Sequence, residues 1–312
     1  MELLDLPIEI LEGIIFLIRD TDSYKNLRIS CKTIYNLMNT VKRFYYNKRI
    51  QCILPFKNNL PVYQHTYWHV NGILKSVYNF KQGYLNGEYL KYYFRGNIKY
   101  KGEYFFDRKH FRQIKYHING HQEYSENYLF GMRSGVCYYY SINNNIKYLV
   151  YYKSNKLHGE MKYFYSNGSL HWLMNYKNGV LHGEFKKYSI NNVLQSHGNY
   201  KNGLLDGNFK LYNLRGLMTF NFNYKNEKLD GVYNSYYETG EIKVSCCYKN
   251  NKLNDNYKSF YINGNIEYDK YYKLDVIHNT CLCNNVNGSK IFEKDYNNGI
   301  RHGFIRYFFD NG

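Results

Sequence analysis

Apolar and polar residues alternate in short runs over most of this chain, and the alternation restarts at a fixed interval. After Gly168, the side chains of Leu170, Trp172, Met174 and Tyr176 fall on one face, while His171, Leu173 and Asn175 fall on the other. Equivalent apolar positions recur as Ile98, Tyr100 and Tyr104, and as Ile146, Tyr148, Val150 and Tyr152. A period of two predicts short β-strands with one buried or aromatic-paved face. The interval is 24 residues and holds from residue 56 to residue 312 without insertion or deletion. A fixed period of that size marks a repeat array, an architecture that more often presents a binding surface than a catalytic pocket.

Three glycine columns punctuate the array. The anchor column reads Gly87, Phe111, Gly135, Gly159, Gly183, Gly207, Gly231, Asp255, Asn279 and Gly303, with Tyr63 one step earlier. A second column lies nine residues downstream and begins Gly72, Gly96, Gly120. A third lies four residues before the anchor and holds Gly83, Gly131, Gly179, Gly203 and Gly299. The Asn-Gly steps at 71–72, 119–120, 167–168, 263–264, 287–288 and 311–312 predict type I′ hairpin turns, in which both central residues take positive φ. Each unit is then two short strands and two turns. The rows that lose the anchor glycine, around Phe111, Asp255 and Asn279, read as drift rather than remodelling.

Two aromatic columns accompany the glycines. One lies seven residues before the anchor (Phe80, Tyr104, Tyr128, Tyr152, Tyr176, Tyr200 and onward). The other lies five after it (Trp68, Tyr92, Tyr116, Tyr140, Phe164, Tyr188 and onward). They are expected to form ladders in which each ring packs on its counterpart one repeat away, worth about 0.5–1.5 kcal/mol per contact beyond burial. That accounts for most of the 40 tyrosines without catalysis or base stacking.

These columns resemble the MORN repeat, whose motif is an aromatic residue, Lys-Asn-Gly, a spacer and a second Gly. The motif stands here as Tyr176-Lys177-Asn178-Gly179 with His182-Gly183-Glu184, and as Tyr200-Lys201-Asn202-Gly203 with Asp206-Gly207. The 24-residue spacing is similar to that of the bacterial antitoxin-like MORN variant and of MORN proteins of large AT-rich DNA viruses. The resemblance covers residues 51–312, about eleven units, and implies an elongated all-β, single-layered antiparallel meander of stacked hairpins.

The first fifty residues follow another pattern. Leu6, Pro7, Ile10, Leu11, Ile14, Ile15 and Ile18 give helical spacing with Pro in the first turn. Asp20 to Ser23 offers a helix start followed by Tyr24 and Leu27, and a third segment carries Cys31, Ile34, Tyr35, Leu37 and Met38. Three short helices over 1–50 form a core near the limit of independent folding. Leu6-Pro7-Ile8-Glu9-Ile10-Leu11, Ile14-Ile15-Phe16-Leu17 and Leu27-Arg28-Ile29-Ser30-Cys31-Lys32 resemble an F-box, with Ile34 and Tyr35 where many F-boxes carry Trp. That resemblance implies docking to the Skp-type adaptor of a cullin–RING ubiquitin ligase through Leu6, Pro7, Ile10, Leu11, Ile14, Ile15 and Leu17. The sheet would then capture an unknown protein target, in the manner of a substrate receptor of viral origin acting on its host. The plainer reading of the same helices is a cap sealing the first edge of the sheet. The fold class expected is therefore α+β in separate parts.

Composition changes the picture in two places. Alanine is absent and Asn, Lys, Ile and Tyr abound, as in an AT-rich genome, yet 24 glycines persist. The net charge of +17 lies almost wholly beyond residue 50. It favours anionic partners, an acidic protein or an anionic lipid surface ahead of nucleic acid, unless lysine merely guards strand edges. Seven unpatterned cysteines, no signal peptide and no long apolar run suggest a soluble cytoplasmic protein, in the host cell if viral.

Candidate chemistry is thin. His158-Gly159-Glu160 and His182-Gly183-Glu184 recur at the repeat spacing, so they read as structural. Cys246-Cys247 and Cys281-Leu282-Cys283 lack the spacing of zinc ligands. No enzyme, metal or cofactor is expected.

Overall fold

The computed structural model describes residues 40–57 and 59–309, and every regular element among them is an antiparallel β-strand. The strands number 26, from Thr40–Phe44 to Ile300–Tyr307. The all-β meander expected for the array is therefore present. Of the helical domain expected over 1–50, residues 1–39 lie outside the described residues. The first described strand, Thr40–Phe44, pairs with Ile50–Lys57, so strand structure is already present eleven residues before the array boundary placed at 51. The chain divides into two compact units. One runs up to Asn145 and includes Lys153–Asn155; the other comprises Ile146–Tyr152 and residues from Lys156 onward.

Within the second unit the hairpin of Leu170–Lys177 and Val180–Tyr188 shows how a repeat is built. Lys177 pairs with Val180 around a two-residue turn. Asn178 and Gly179 both have positive φ, 52° and 90°. That is the type I′ turn, and it sits in the Lys-Asn-Gly column. Equivalent positive-φ pairs are Gln82-Gly83 and Phe130-Gly131 in the first unit and Asn202-Gly203 in the second.

The Asn-Gly steps expected to be type I′ differ. At Asn71-Gly72 only Gly72 has positive φ, 88°. Its N–H donates to His69 O (2.8 Å), and the His69 N–H donates to Ile73 O (2.7 Å). This is a three-residue loop, a type I turn followed by a left-handed residue that forms a bulge. The register slips accordingly, with Trp68 opposite Leu74 and Tyr67 opposite Ser76. The asparagine side chain favours the alternative. Asn71 Oδ1 accepts from the Ile73 N–H (3.1 Å), while its Nδ2 donates to Phe94 O one repeat on (3.0 Å). Asn119, Asn167 and Asn263 make the same pair of bonds. Tyrosines two residues earlier in the loop reinforce this: Tyr93, Tyr165 and Tyr237 each donate their hydroxyl to a carbonyl 23 residues on. Such bonds typically contribute about 0.5–1.5 kcal/mol each.

The anchor column also carries a bulge. Three residues, Asn86 to Glu88, face Asn79 alone between the pairs Tyr78–Tyr89 and Phe80–Leu85. Gly87 takes φ of 104°, and Asn79 Nδ2 donates to Glu88 O (2.7 Å). Where the glycine is lost the conformation survives: Phe111, Asp255 and Asn279 have φ of 54°, 76° and 60°.

Candidate functional site

The residues expected to dock an adaptor, Leu6, Pro7, Ile10, Leu11, Ile14, Ile15 and Leu17, all lie outside the described residues. The described surface is the two faces of the strands, and they differ in chemistry. In the second unit, Trp172, Phe185, Phe209, Phe222 and Tyr233 line one face. Consecutive ring centroids in that series lie 5.5 to 6.5 Å apart. The opposite face carries ion pairs: Glu184 meets Lys186 of its own strand at 2.7 Å and His197 of the next strand at 3.1 Å, and Lys258 meets Asp269 of the next strand at 3.2 Å. The Lys186 ammonium, then His197, hold the Glu184 carboxyl below the usual carboxylate range. The first unit repeats the division, with Tyr78, Tyr89 and Tyr100 packed in series and Glu88 paired to Lys101 at 2.9 Å.

The aromatic ladders differ from expectation. Rings of the column seven before the anchor pack edge-on against a column two after the anchor: Tyr104 on Tyr89, Tyr200 on Phe185, Tyr224 on Phe209 and Tyr248 on Tyr233. Counterparts one repeat apart are separated by two strand spacings, about 10 Å. Aromatic pairs need about 4.5–7 Å, so the partner comes from the intervening strand. Phe185 and Phe209 are a same-column exception at 6.5 Å and 11°. Between their strands stands Gly198, paired with Phe185, where an added Cβ would lie 2.3 Å from the Phe209 ring. The missing side chain lets Phe209 lean across.

His158 and His182 take structural parts. Their Nδ1 atoms face the backbone N–H of Asn178 and Asn202 at 3.5 and 3.4 Å, the first residues of the next repeat's tight turns. Asp206 and Asp230 accept the same bond in their rows. The recurring His thus serves as a turn acceptor, which any short acceptor side chain can replace. Among the described residues no group of three or more His, Cys, Asp or Glu could hold a metal ion. The described cysteines are free thiols, five of them buried. Burial pushes the Cys246 thiol up to about 12.

One buried charge was not singled out by the sequence. Glu126 is 8% exposed and stands in the column that holds Val150, Met174 and Phe222. It accepts hydroxyls from Tyr128 (2.8 Å) and Tyr139 (2.5 Å), and Arg133 lies 3.7 Å away. The one carboxylate in its column, with a basic residue seven positions on, was the available signal.

No helix among the described residues is long and apolar enough to cross a membrane. No family model matches the chain, and no curated protein matches it. Among solved structures, a chain of the TcdB2-TccC3-TEV complex aligns at 10% identity over 85% of this chain and 16% of that one, with a TM-score of 0.16. A chain of the Photorhabdus luminescens Tc holotoxin pore aligns at 11% identity over 86% and 18%, with a TM-score of 0.15. This chain spans less than a fifth of the length of those chains, and likeness at these scores carries no argument.

Proposed function

We propose that the protein is a non-enzymatic adaptor, a substrate receptor that recruits a target to a Skp–cullin–RING ubiquitin ligase. The F-box-like segment would grip the Skp-type adaptor and the strand array would bind the target. The observation that carries the second half is the division of the two faces, one aromatic and one ionic, built on strands whose turns and bulges are held by recurring backbone and side-chain bonds. With backbone and turns assigned to structure, the variable side chains between the columns are free to encode a partner. The first half rests on the F-box resemblance of residues 6–32.

Co-purification of the full chain with a Skp-type adaptor tests this. Wild type should retain the adaptor, while Ile10→Asp and Ile14→Asp should lose it with the strand signal in circular dichroism unchanged. Retention by both variants would remove the ligase assignment. The strongly basic array also favours a second reading, a scaffold that lies on anionic membranes without ligase coupling. Flotation of the full chain with acidic vesicles at low salt, where electrostatic attraction is strongest, separates the two. Absence of flotation there counts against the scaffold.

A further inference from the structure

The row that loses its glycine at Phe111 departs from the repeat at three positions that meet in space. The column two before the anchor is aliphatic in most rows, as Leu85, Leu157, Leu181, Leu205, Leu229, Leu253 and Ile277, yet it holds Lys109 here. The column two after the anchor, where Tyr89, Phe185, Phe209 and Tyr233 stand, holds Gln113. The neighbouring strand, Ile98–Phe105, carries Gly102, where an added Cβ would lie 2.0 Å from Gln113 Oε1.

These changes fit one another. Gln113 is fully buried, donates Nε2 to Glu103 O (2.8 Å) and His110 O (2.9 Å), and accepts the Tyr100 hydroxyl. The bulge lies one position along, so that Glu103 pairs with His110 and Gly102 faces it; the Asn279 row shares this register, with Tyr271 paired to His278. The row is rebuilt around a buried amide rather than eroded by drift.

Beside this row lies a solvent-open cavity of about 290 Å³ walled by Tyr89, Tyr100 and Tyr104. Lys91, Lys99, Lys109 and Lys115 line the same cavity. Lys115 is paired with Glu123 at 2.7 Å. The other three make no ion pair among the described residues; their ammonium groups rest 4.8 to 5.4 Å from the tyrosine rings of Tyr128, Tyr89 and Tyr93. The neighbouring row supplies a contrast. Arg133 occupies the same column as Lys109, and there the buried Glu126 lies 3.7 Å from it. At Lys109 the charge is introduced on the aromatic face without a carboxylate.

We infer that this lysine–tyrosine cavity is a binding site for a small organic phosphate carrying a flat ring, of nucleoside monophosphate size. Ammonium groups bind a phosphate dianion as point charges, and the tyrosine rings offer π-faces to the flat part. The volume lies just below the range for ligand pockets, roughly 300–1,000 Å³, so nothing larger than one ring system with one phosphate suits it.

Calorimetric titration of the full chain with adenosine 5′-monophosphate at low salt tests the site, with adenosine and inorganic phosphate as comparison arms. The monophosphate should bind more tightly than either part alone. Lys109→Leu restores the residue that six other rows carry, so its fold is supported by the repeat itself; it should weaken binding about tenfold or more. Lys91→Gln should weaken it similarly, while Lys187→Gln, in the second unit, should leave it unchanged. Undiminished binding in both Lys109→Leu and Lys91→Gln overturns the assignment. So does a monophosphate affinity no better than that of phosphate, since the ring would then contribute nothing. If Lys109→Leu melts differently from wild type, Lys91→Gln alone decides.

Discussion

Phe111 holds an aromatic side chain at φ of 54° and is 60% exposed, in a column where seven rows use glycine. A left-handed conformation costs an L-residue about 1–2 kcal/mol, against an entropic cost of about 0.5–1 kcal/mol for glycine. Phe111→Gly should therefore stabilise the protein by about 0.5–1 kcal/mol in a denaturant melt. Gly198 is the opposite case. It needs no unusual φ, but its missing Cβ is where the Phe209 ring lies. Gly198→Ala should cost about 1–3 kcal/mol by overpacking, read as a lower denaturation midpoint with an unchanged slope. The glycine columns were legible in the sequence because a backbone need repeats at every row. Gly198 and Gly102 were not, because their reason is one neighbouring side chain on the next strand.

At the scale of strands and turns, both aromatic columns and the three Gly columns follow from periodicity, but their pairings do not. Two turns per repeat were visible as Asn-Gly steps, and the same dipeptide serves a type I′ turn at 178–179 and a type I turn with a bulge at 167–168. What separates them is loop length, together with an asparagine side chain that bonds a carbonyl of the next repeat at Ile190. Charge pairing within and between strands is titratable at this scale. Lys186 first, and then His197, hold the Glu184 carboxyl below its usual range. A carboxyl lowered on folding contributes stability that is fully present above its ordinary pKa of about 4.3. That contribution fades as pH falls through the lowered folded value. Glu184→Gln should therefore lose less thermal stability than wild type between pH 5 and pH 3, the difference vanishing at the acid end of the titration, as followed by circular dichroism. Because Glu184 is partly exposed, salt should shrink the effect.

For the whole molecule, the 24-residue interval makes a quantitative demand. In a repeat array each unit contacts its neighbours, so stability is close to a sum of local terms. Deleting residues 186–209 removes one full interval and joins Phe185 to Lys210, which preserves the alternation. Deleting 186–208 joins Phe185 to Phe209 and exchanges the two faces beyond the junction, because a one-residue slip inverts every side chain of a strand. The first deletion should retain strand signal and a cooperative melt a few degrees below wild type; the second should lose cooperativity. By itself the sequence determined the strand period, the existence of two turns per unit and the glycine columns that take positive φ, since these are properties of backbone that recur along the array. Only the tertiary structure decided which turn is which, that rings such as Tyr104, Tyr200 and Tyr224 pack on the intervening strand rather than on their counterparts, and that Gly102, Lys109 and Gln113 meet. The physical reason is common to all three. Bulges shift the register between neighbouring strands, and side-chain partners are set by that register and by the space the next strand leaves, neither of which a period along one chain contains.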